Sequence, residues 1–428
     1  MAKLSAIRGF RDSTGDTLER MEQVEAVSRN TLELACYEPI RLPIVEYTEV
    51  FLKSVGPSSD IVQKEMYTFE DASSRSLTLR PEGTAGFVRA YLEHGLYKER
   101  PVSRYWYSGP MFRHERPQKG RLRQFHQVGA EAMGVSDPCL DAELITLADR
   151  ILKGVGLEGF EVQVNSIGCK ACRETFKQEL VAFLDDRSSM LCEDCRQRSL
   201  LNPLRVFDCK ICKEALDQAP VMLEHLCREC QEHFRSVKAC LDAFGVETRT
   251  NPRIVRGLDY YNRTTFEIYP EDGGAQSVLV AGGRYDGLVE TMGGPPTAGI
   301  GFALGVERVA ERVLQKEKRA YRHVERSSLA VIPLGEEGKP SICHVLTELW
   351  DAGISAMPVW GPQGLKAKLR FVDKRGLRYA LFPSDVGRMV LKDMQAGSQS
   401  EGSSSEIDWI KARIHALRGK VEFGGDHG

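Results

Sequence analysis

The chain has 428 residues, of which 42% are hydrophobic and 28% charged, with a formal net charge of −2. That length exceeds one ordinary core and predicts two or three domains of a soluble globular protein, and no apolar run approaches the roughly 20 residues that span a bilayer. The near-zero charge excludes a globally basic nucleic-acid-binding field, so any nucleic-acid partner would have to be met by local basic patches.

The N-terminus, Met1–Asp12, lacks the apolar stretch of a secretory signal, and a cytoplasmic location is expected. Residues 16–36 predict a helix, with Asp16 as N-cap and Glu19 completing a capping box. Leu18, Met21, Val24, Thr31, Leu32 and Ala35 share one face of it. A short extended run, Glu38–Pro43, ends at proline. Residues 66–80 predict a hairpin turning at Ser73-Ser74, and residues 104–133 predict two long strands around the basic loop His114–Arg121. Asp141–Lys153 reads as a helix and 161–167 as a strand.

From Cys169 to about Cys240 the texture changes to short helices studded with cysteine. Strands are then predicted at Arg253–Val255, Thr264–Tyr269, Gln276–Ala281 and Gly299–Leu304, with helices at Gly282–Met292 and Gly305–Lys316. Strands on both sides of an insertion are the pattern of an antiparallel-sheet α+β domain. Lys316–Arg326 reads as a charged linker. Beyond it Leu329–Pro333, Ser341–Ala352, Ser355–Val359, Leu365–Lys374 and Arg378–Phe382 alternate strand and helix, the rhythm of a small α/β domain. Ser398–Ser405 is low in complexity and reads as a loop. The expected domains are therefore 1–325, with an insertion at about 169–245, and 326–428.

Eight of the 12 cysteines form four Cys-x-x-Cys pairs. In a reducing compartment such pairs suggest metal before disulfides. Cys169 and Cys172 precede Cys192 and Cys195 by 19 residues, which fits a four-thiolate structural zinc site. Cys209, Cys212, Cys227 and Cys230 offer an alternative or second site. Reduced helical cysteines with no ligand role are the competing reading.

No Walker-type phosphate loop, dinucleotide fingerprint, nucleophile elbow or His-Glu-x-x-His zinc motif occurs. Instead, five basic residues (Arg113, Arg116, Lys119, Arg121, Arg123) stand against the single acid Glu115 between positions 113 and 123. Guanidinium forks match phosphate oxygens, and Phe125 on the return strand can stack on a base. Taken alone, such a basic loop reads first as a solvated hairpin tip. Six basic residues between Lys366 and Arg378, set against Asp373, form a second cluster that by itself is a charged helix face.

The order of the segments resolves the ambiguity. Arg113-His-Glu-Arg-Pro-Gln-Lys-Gly-Arg121, Arg123-Gln-Phe-His-Gln127 and Glu131 resemble motif 2 of class II aminoacyl-tRNA synthetases, in the version carried by the histidyl-tRNA synthetases. Leu79-Arg-Pro-Glu-Gly-Thr84, Arg256-Gly-Leu-Asp-Tyr-Tyr261, Ala281-Gly-Gly-Arg-Tyr-Asp-Gly287 and Gly299-Ile-Gly-Phe-Ala-Leu-Gly-Val-Glu-Arg308 extend the likeness in the same order, the last as motif 3. The resemblance implies a class II antiparallel-sheet catalytic domain with a Cys-rich helical insertion, followed by a C-terminal α/β anticodon-binding domain. It implies a histidine-specific ligase acting on histidine, ATP with Mg2+ and histidine tRNA, working as a homodimer with no membrane partner.

Carried over position by position, it makes Arg113 and Arg256 the catalytic pair at the α-phosphate. ATP would be bound by Arg113, Glu115, Arg121, Phe125 and Arg308. Histidine would be bound by Glu82, Gly83, Thr84, Arg113, Gln127, Glu131, Arg256, Tyr260, Tyr261 and Tyr285. Arg116 and Gln118 would approach the tRNA acceptor end. The eight paired cysteines depart from the family's general pattern, which needs no zinc for its chemistry. The rival expectation is a synthetase-like regulatory subunit of histidine biosynthesis, which typically loses catalytic residues and lacks the C-terminal domain.

Overall fold

Gly15, not Asp16, holds the N-cap of the first helix, α1 (Asp16–Leu34), and no side chain caps it. The backbone leaves Gly15 at φ 57°, a conformation glycine adopts without cost, so the entry is set by backbone freedom rather than by the expected capping box. The computed structural model describes residues 4–56, 59, 61–100, 102–116, 121–209, 211–254, 260–272, 278–316, 329–334, 339–383, 388–403 and 410. The chain divides into two units, Met1–Lys318 and Arg319–Gly428.

In the first unit, β1 (Glu38–Pro39) and β2 (Val45–Tyr47) lead to α2 (Thr48–Val55). The expected hairpin is β3 (Tyr67–Glu70) and β4 (Ser76–Leu79), with Ser74 in its turn at φ 59°. Helix α3 (Thr84–Glu93) precedes the long strands β5 (Ser103–Phe112) and β6 (Gln124–Met133), and α4 (Pro138–Gly154) precedes β7 (Phe160–Ser166). The insertion supplies α5 (Lys170–Asp186), α6 (Glu193–Leu201) and α7 (Arg228–Ala243). The chain returns through β8 (Thr248–Thr250), β9 (Asn262–Pro270), β10 (Val280–Arg284), α8 (Leu288–Thr291), β11 (Gly299–Gly305) and α9 (Val306–Lys316).

Two expectations fail here. Residues 251–254 form a turn, and the strand lies at Thr248–Thr250; Val255 is outside the described residues. Gly282–Arg284 belong to β10, and the helix shrinks to Leu288–Thr291. Gly282 and Gly283 are pressed between neighbouring strands, where a Cβ would strike Gly301 O or Thr264 O; that close strand packing overrides the helical reading.

Eight of these strands form one sheet in the order β1-β5-β6-β11-β10-β9-β7-β8, antiparallel through its centre and parallel at both edges. Register sets its chemistry. Residues directly opposite in antiparallel strands face the same side. Tyr105, Glu131, Gly301, Gly283 and Thr265 therefore run as one row across five strands. The alternate row, Trp106, Ala130, Phe302, Gly282 and Phe266, faces the main core under α1, α4, α7 and α9. One face is thus apolar and covered, while the other carries glycines around a carboxylate.

A buried ion pair pins this core. Arg284 Nε donates to Asp141 Oδ1 at 3.0 Å, Nη1 to Asp286 Oδ1 at 3.0 Å and to Val135 O, and Nη2 to Asp137 O. Arg284 and Asp141 are fully buried, so the Arg-Tyr-Asp string acts first as a structural tie between β10 and α4.

The insertion corrects the expected cysteine grouping. Cys169 and Cys172 meet Cys227 and Cys230, and Cys192 and Cys195 meet Cys209 and Cys212. The first pair cannot join the second because α5, 17 residues long, carries the chain roughly 25 Å away before Cys192 is reached. The start of α7 brings Cys227 back beside the start of α5. A separate disulfide joins Cys139 in α4 to Cys240 in α7.

In the second unit, β12 (Leu329–Val331), α10 (Lys339–Asp351), β13 (Ala356–Pro358), α11 (Leu365–Lys374), β14 (Tyr379–Pro383), β15 (Arg388–Asp393) and β16 (Gln399–Ser403) build a sheet ordered β13-β12-β14-β15-β16. Its first three strands are parallel and the rest antiparallel. The expected loop at 398–405 is instead the edge strand β16 over residues 399–403, because its backbone pairs with β15. No helix among the described residues is long and apolar enough to cross a membrane.

Removing one partner of a buried ion pair costs about 3–5 kcal/mol. Arg284→Met is expected to lower unfolding stability by about that amount at neutral pH, measured by urea denaturation. Part of the loss should return in acid, where the stranded Asp141 takes up a proton.

Candidate active site

The polar face of the large sheet floors a cavity of about 980 Å³. Its two ends differ in chemistry. At one end, Arg113 leaves the tip of β5 with Nε donating to Pro81 O at 2.9 Å and its guanidinium 5.3 Å from the centre of the Phe125 ring. Arg121 Nη1 donates to Glu115 Oε2 at 2.8 Å, and Glu115 Oε1 lies 3.8 Å from Arg113 Nη1. Arg308, from the first turn of α9, donates to Val278 O at 2.8 Å. Its pKa is pushed down by burial and then by the nearby charges of Arg121 and Arg113. Arg113, Arg121 and Arg308 thus stand close enough for their charges to act on one another, an arrangement that a bound anion would relieve.

The other end is built around Glu131. It is fully buried and accepts hydrogen bonds from Thr84 Oγ1 at 2.7 Å, Tyr107 OH at 3.0 Å and Tyr285 OH. Burial raises its pKa from 4.5 to about 8, against the three hydroxyl donors, which lower it. The glycine at 301 is what makes room for its carboxylate, since a Cβ there would collide with Oε2. Gly83 and Gly129 likewise accommodate the Tyr107 ring. Glu82 spends both oxygens on the first turn of α3, accepting from Thr84 N and Ala85 N at 2.8 Å each. Burial raises its pKa, and these N–H groups hold it down. Tyr260 packs on Tyr261 with ring centres 4.6 Å apart. Tyr260 OH and Gln127 Oε1 are buried with no hydrogen-bond partner among the described residues.

The geometry therefore brings Glu82, Thr84, Arg113, Glu115, Arg121, Phe125, Gln127, Tyr260, Tyr261 and Arg308 to one cavity wall. Gly83, Glu131 and Tyr285 stand behind that wall and hold its shape. Arg116 is exposed beside it, while Arg256 and Gln118 lie outside the described residues.

Several contributors were not legible in the sequence. His126 N and Nδ1 both reach Glu307, at 2.8–2.9 Å to its carboxylate oxygens, joining β6 to α9. The insertion adds Arg198, Arg205, Phe207, Cys209 and Lys213 to the wall. Arg253 locks that wall in place. Its guanidinium lies 4.9 Å from the centre of the Phe207 ring and donates to Ala219 O at 2.8 Å, Pro220 O at 3.1 Å and Asp217 O at 3.2 Å. Nothing in the local sequence of Arg253 announces contacts more than 30 residues away.

A family model described as histidyl-tRNA synthetase matches residues 9–309. The chain belongs to the histidyl-tRNA synthetase family. It is 45% identical over 404 residues to the histidine–tRNA ligase of Geobacter metallireducens, covering 93% of this chain and 97% of that one. It is 44% identical over 410 residues to the histidine–tRNA ligase of Aquifex aeolicus, covering 94% and 100%. The solved structure of apo S. aureus histidyl-tRNA synthetase superposes with a TM-score of 0.77 at 29% identity, covering 97% of this chain and all of that one. The span matched to the histidyl-tRNA synthetase family contains every cavity residue named above.

The raised pKa of Glu131 has a defined consequence. Between pH 4.5 and about 8 the folded chain holds a proton that the unfolded chain has released, so stability falls as pH rises through that window. Urea melts at pH 5 to 8 are expected to show a shallower decline for Glu131→Gln than for the parent chain. Equal slopes would mean that Glu131 does not carry this proton.

Proposed function

We propose that the chain is a histidine–tRNA ligase of class II. It joins histidine to ATP, releasing pyrophosphate, and then transfers histidine to the 3′ end of its tRNA. The observation that carries this reading is a single cavity with an arginine-rich end and a buried carboxylate-hydroxyl end, inside the span shared with the family.

The chemistry needs no protein nucleophile. A carboxylate oxygen of histidine attacks the α-phosphorus of ATP, the bond from that phosphorus to the bridging oxygen breaks, and pyrophosphate leaves with the electron pair. The terminal ribose hydroxyl of tRNA then attacks the mixed anhydride, and AMP departs. Two anions have to be held together and their growing charge offset, which is work for fixed cations. Arg113 and Arg256 take the α-phosphate, and Arg308 and Arg121 the outer phosphates. Glu115 meets the adenine amino group, and Phe125 offers the stacking face. Magnesium arrives with ATP and offsets charge on its phosphate oxygens.

At the other end, Thr84 donates its proton to Glu131, so its oxygen lone pairs turn toward the cavity as acceptors, while Tyr285, donating to Glu131 from behind the wall, holds that carboxyl in place. The unpartnered Gln127 Oε1 and Tyr260 OH complete a set suited to the ammonium and imidazole N–H groups of histidine. Glu82 and Gly83 form the turn that presents Thr84, and Tyr261 encloses the ring.

The remaining assignments follow the same reading. Residues 1–325 form the catalytic domain and 326–428 an anticodon-binding domain. On α11 and just beyond it, Lys366, Arg370, Lys374 and Arg375 are exposed, while Arg378 lies 3.5 Å from Asp393, so the first four are the phosphate-contact candidates. Arg116 and Gln118 meet the acceptor end. The chain acts in the cytoplasm as a homodimer, for which Ile44, Val45, Tyr47 and Leu52 offer an exposed apolar surface after Pro43.

Histidine-dependent exchange of pyrophosphate into ATP tests the reading; folded chain without exchange overturns it. Arg113→Ala is expected to slow activation by about 10²-fold or more. Arg256→Ala should cut the activation rate far more than histidine affinity, because its interaction strengthens in the transition state. An equal loss in both would remove Arg256 from that role.

A further inference from the structure

The cysteine insertion contains a helix that its own apolar residues do not hold. Helix α6 is nine residues long, and only Cys195 and Ser199 are buried on it, while Leu200 and Leu201 stand 81% and 68% exposed. Around it the chain runs through short turns, and the buried residues that do pack there include four cysteines. Yet α6 carries Arg198 into the cavity wall, and the neighbouring turn carries Cys209 there. The apolar side chains of α6 itself do not fix this segment's position.

The sulfur geometry does. We propose that the insertion is a two-zinc module with nested ligand pairs. The outer ion is held by Cys169, Cys172, Cys227 and Cys230, and the inner ion by Cys192, Cys195, Cys209 and Cys212. In each set all four sulfurs lie within 4.8 Å of one another. Cys169 and Cys172 are 3.5 Å apart and Cys192 and Cys209 3.8 Å apart. A tetrahedral Zn–S bond of about 2.3 Å places sulfurs about 3.8 Å apart, which fits both sets. A four-iron cluster needs its sulfurs spread farther.

Backbone N–H groups already point at the sulfurs. Cys192 N donates to Cys212 Sγ and Cys227 N to Cys172 Sγ, each at 3.1 Å. Such bonds offset the negative charge of thiolates. Four protein ligands leave no open position, so both ions are structural and take no part in the reaction. Each site releases four thiol protons as it binds one divalent cation, and no redox step is involved.

The nesting has a mechanical meaning. The outer ion ties the base of the insertion at α5 and α7, and the inner ion ties its tip, including α6. A sequential grouping would instead link the base to the tip directly.

Metal analysis and native mass spectrometry of the full chain, purified under reducing conditions, are expected to find two zinc ions per chain. One ion, none, or iron in their place overturns the proposal. Pairing is read on the parent chain itself. After partial removal of zinc with a chelator and alkylation, peptides from one-zinc molecules should show protection of one complete set, either the outer four or the inner four. Protection of Cys169, Cys172, Cys192 and Cys195 together overturns the nested arrangement. Exposed Cys36 and Cys343 serve as internal controls that alkylate throughout. As a second measurement, Cys169→Ser with Cys230→Ser should retain one zinc, whereas Cys169→Ser with Cys192→Ser should retain none. The reverse pattern overturns the assignment. None of these readouts depends on ligase activity, so they stand whether or not the catalytic reading does.

Discussion

A carboxyl group buried without a cation has to be satisfied by neutral hydrogen-bonding partners, and Glu131 imposes that demand on the whole catalytic unit. Its donors come from three other places: Thr84 at the start of α3, Tyr107 in β5 and Tyr285 after β10. An unsatisfied buried group of this kind is costly, so the three hydroxyls fix where their elements sit against β6. The glycines at 83, 129 and 301 follow from the same demand, because each leaves space for a member of the cluster. The polar face of the sheet is therefore organised outward from one residue, and the arginine end is placed by the strands that flank it.

The parts legible in the sequence were those with a local cause. The β5–β6 hairpin announces itself through two long runs and a basic turn, and the α/β rhythm after residue 329 through alternating periods. What escaped depends on partners distant in the chain. Gln399–Ser403 has the composition of a loop, but β15 offers it a row of backbone groups, and pairing needs no apolar side chains. Gly282-Gly283 resembles the approach to a helix until the crowding of β9 and β11 is considered. The cysteine pairs were visible, but their partnership was not, because spacing along the chain favours neighbours while α5 separates them.

The site shows the same division. Its candidate residues stood in contiguous motifs, and ten of them line one cavity. The motifs did not distinguish residues that face the cavity from those that shape it. Glu131 and Tyr285 belong to the second group by burial, and Arg284 serves the sheet rather than the cavity. His126 sits inside the Arg123–Gln127 motif, yet alternation places it opposite Phe125 and Gln127, and only the start of α9 explains its bond to Glu307.

Helix α7 joins the cysteine insertion to the main core. Its first turn carries Cys227 and Cys230 into the insertion, and its later turns bury Phe234, Val237 and Leu241 in the main core. A continuous helix resists bending between turns, so the insertion is not a flap on a hinge at that end. It is a cantilever whose root lies within the sheet's own packing. Strain applied at its tip, where Arg198 and Lys213 face the cavity, reaches the layer beneath the large sheet through α7 as well as through Arg253.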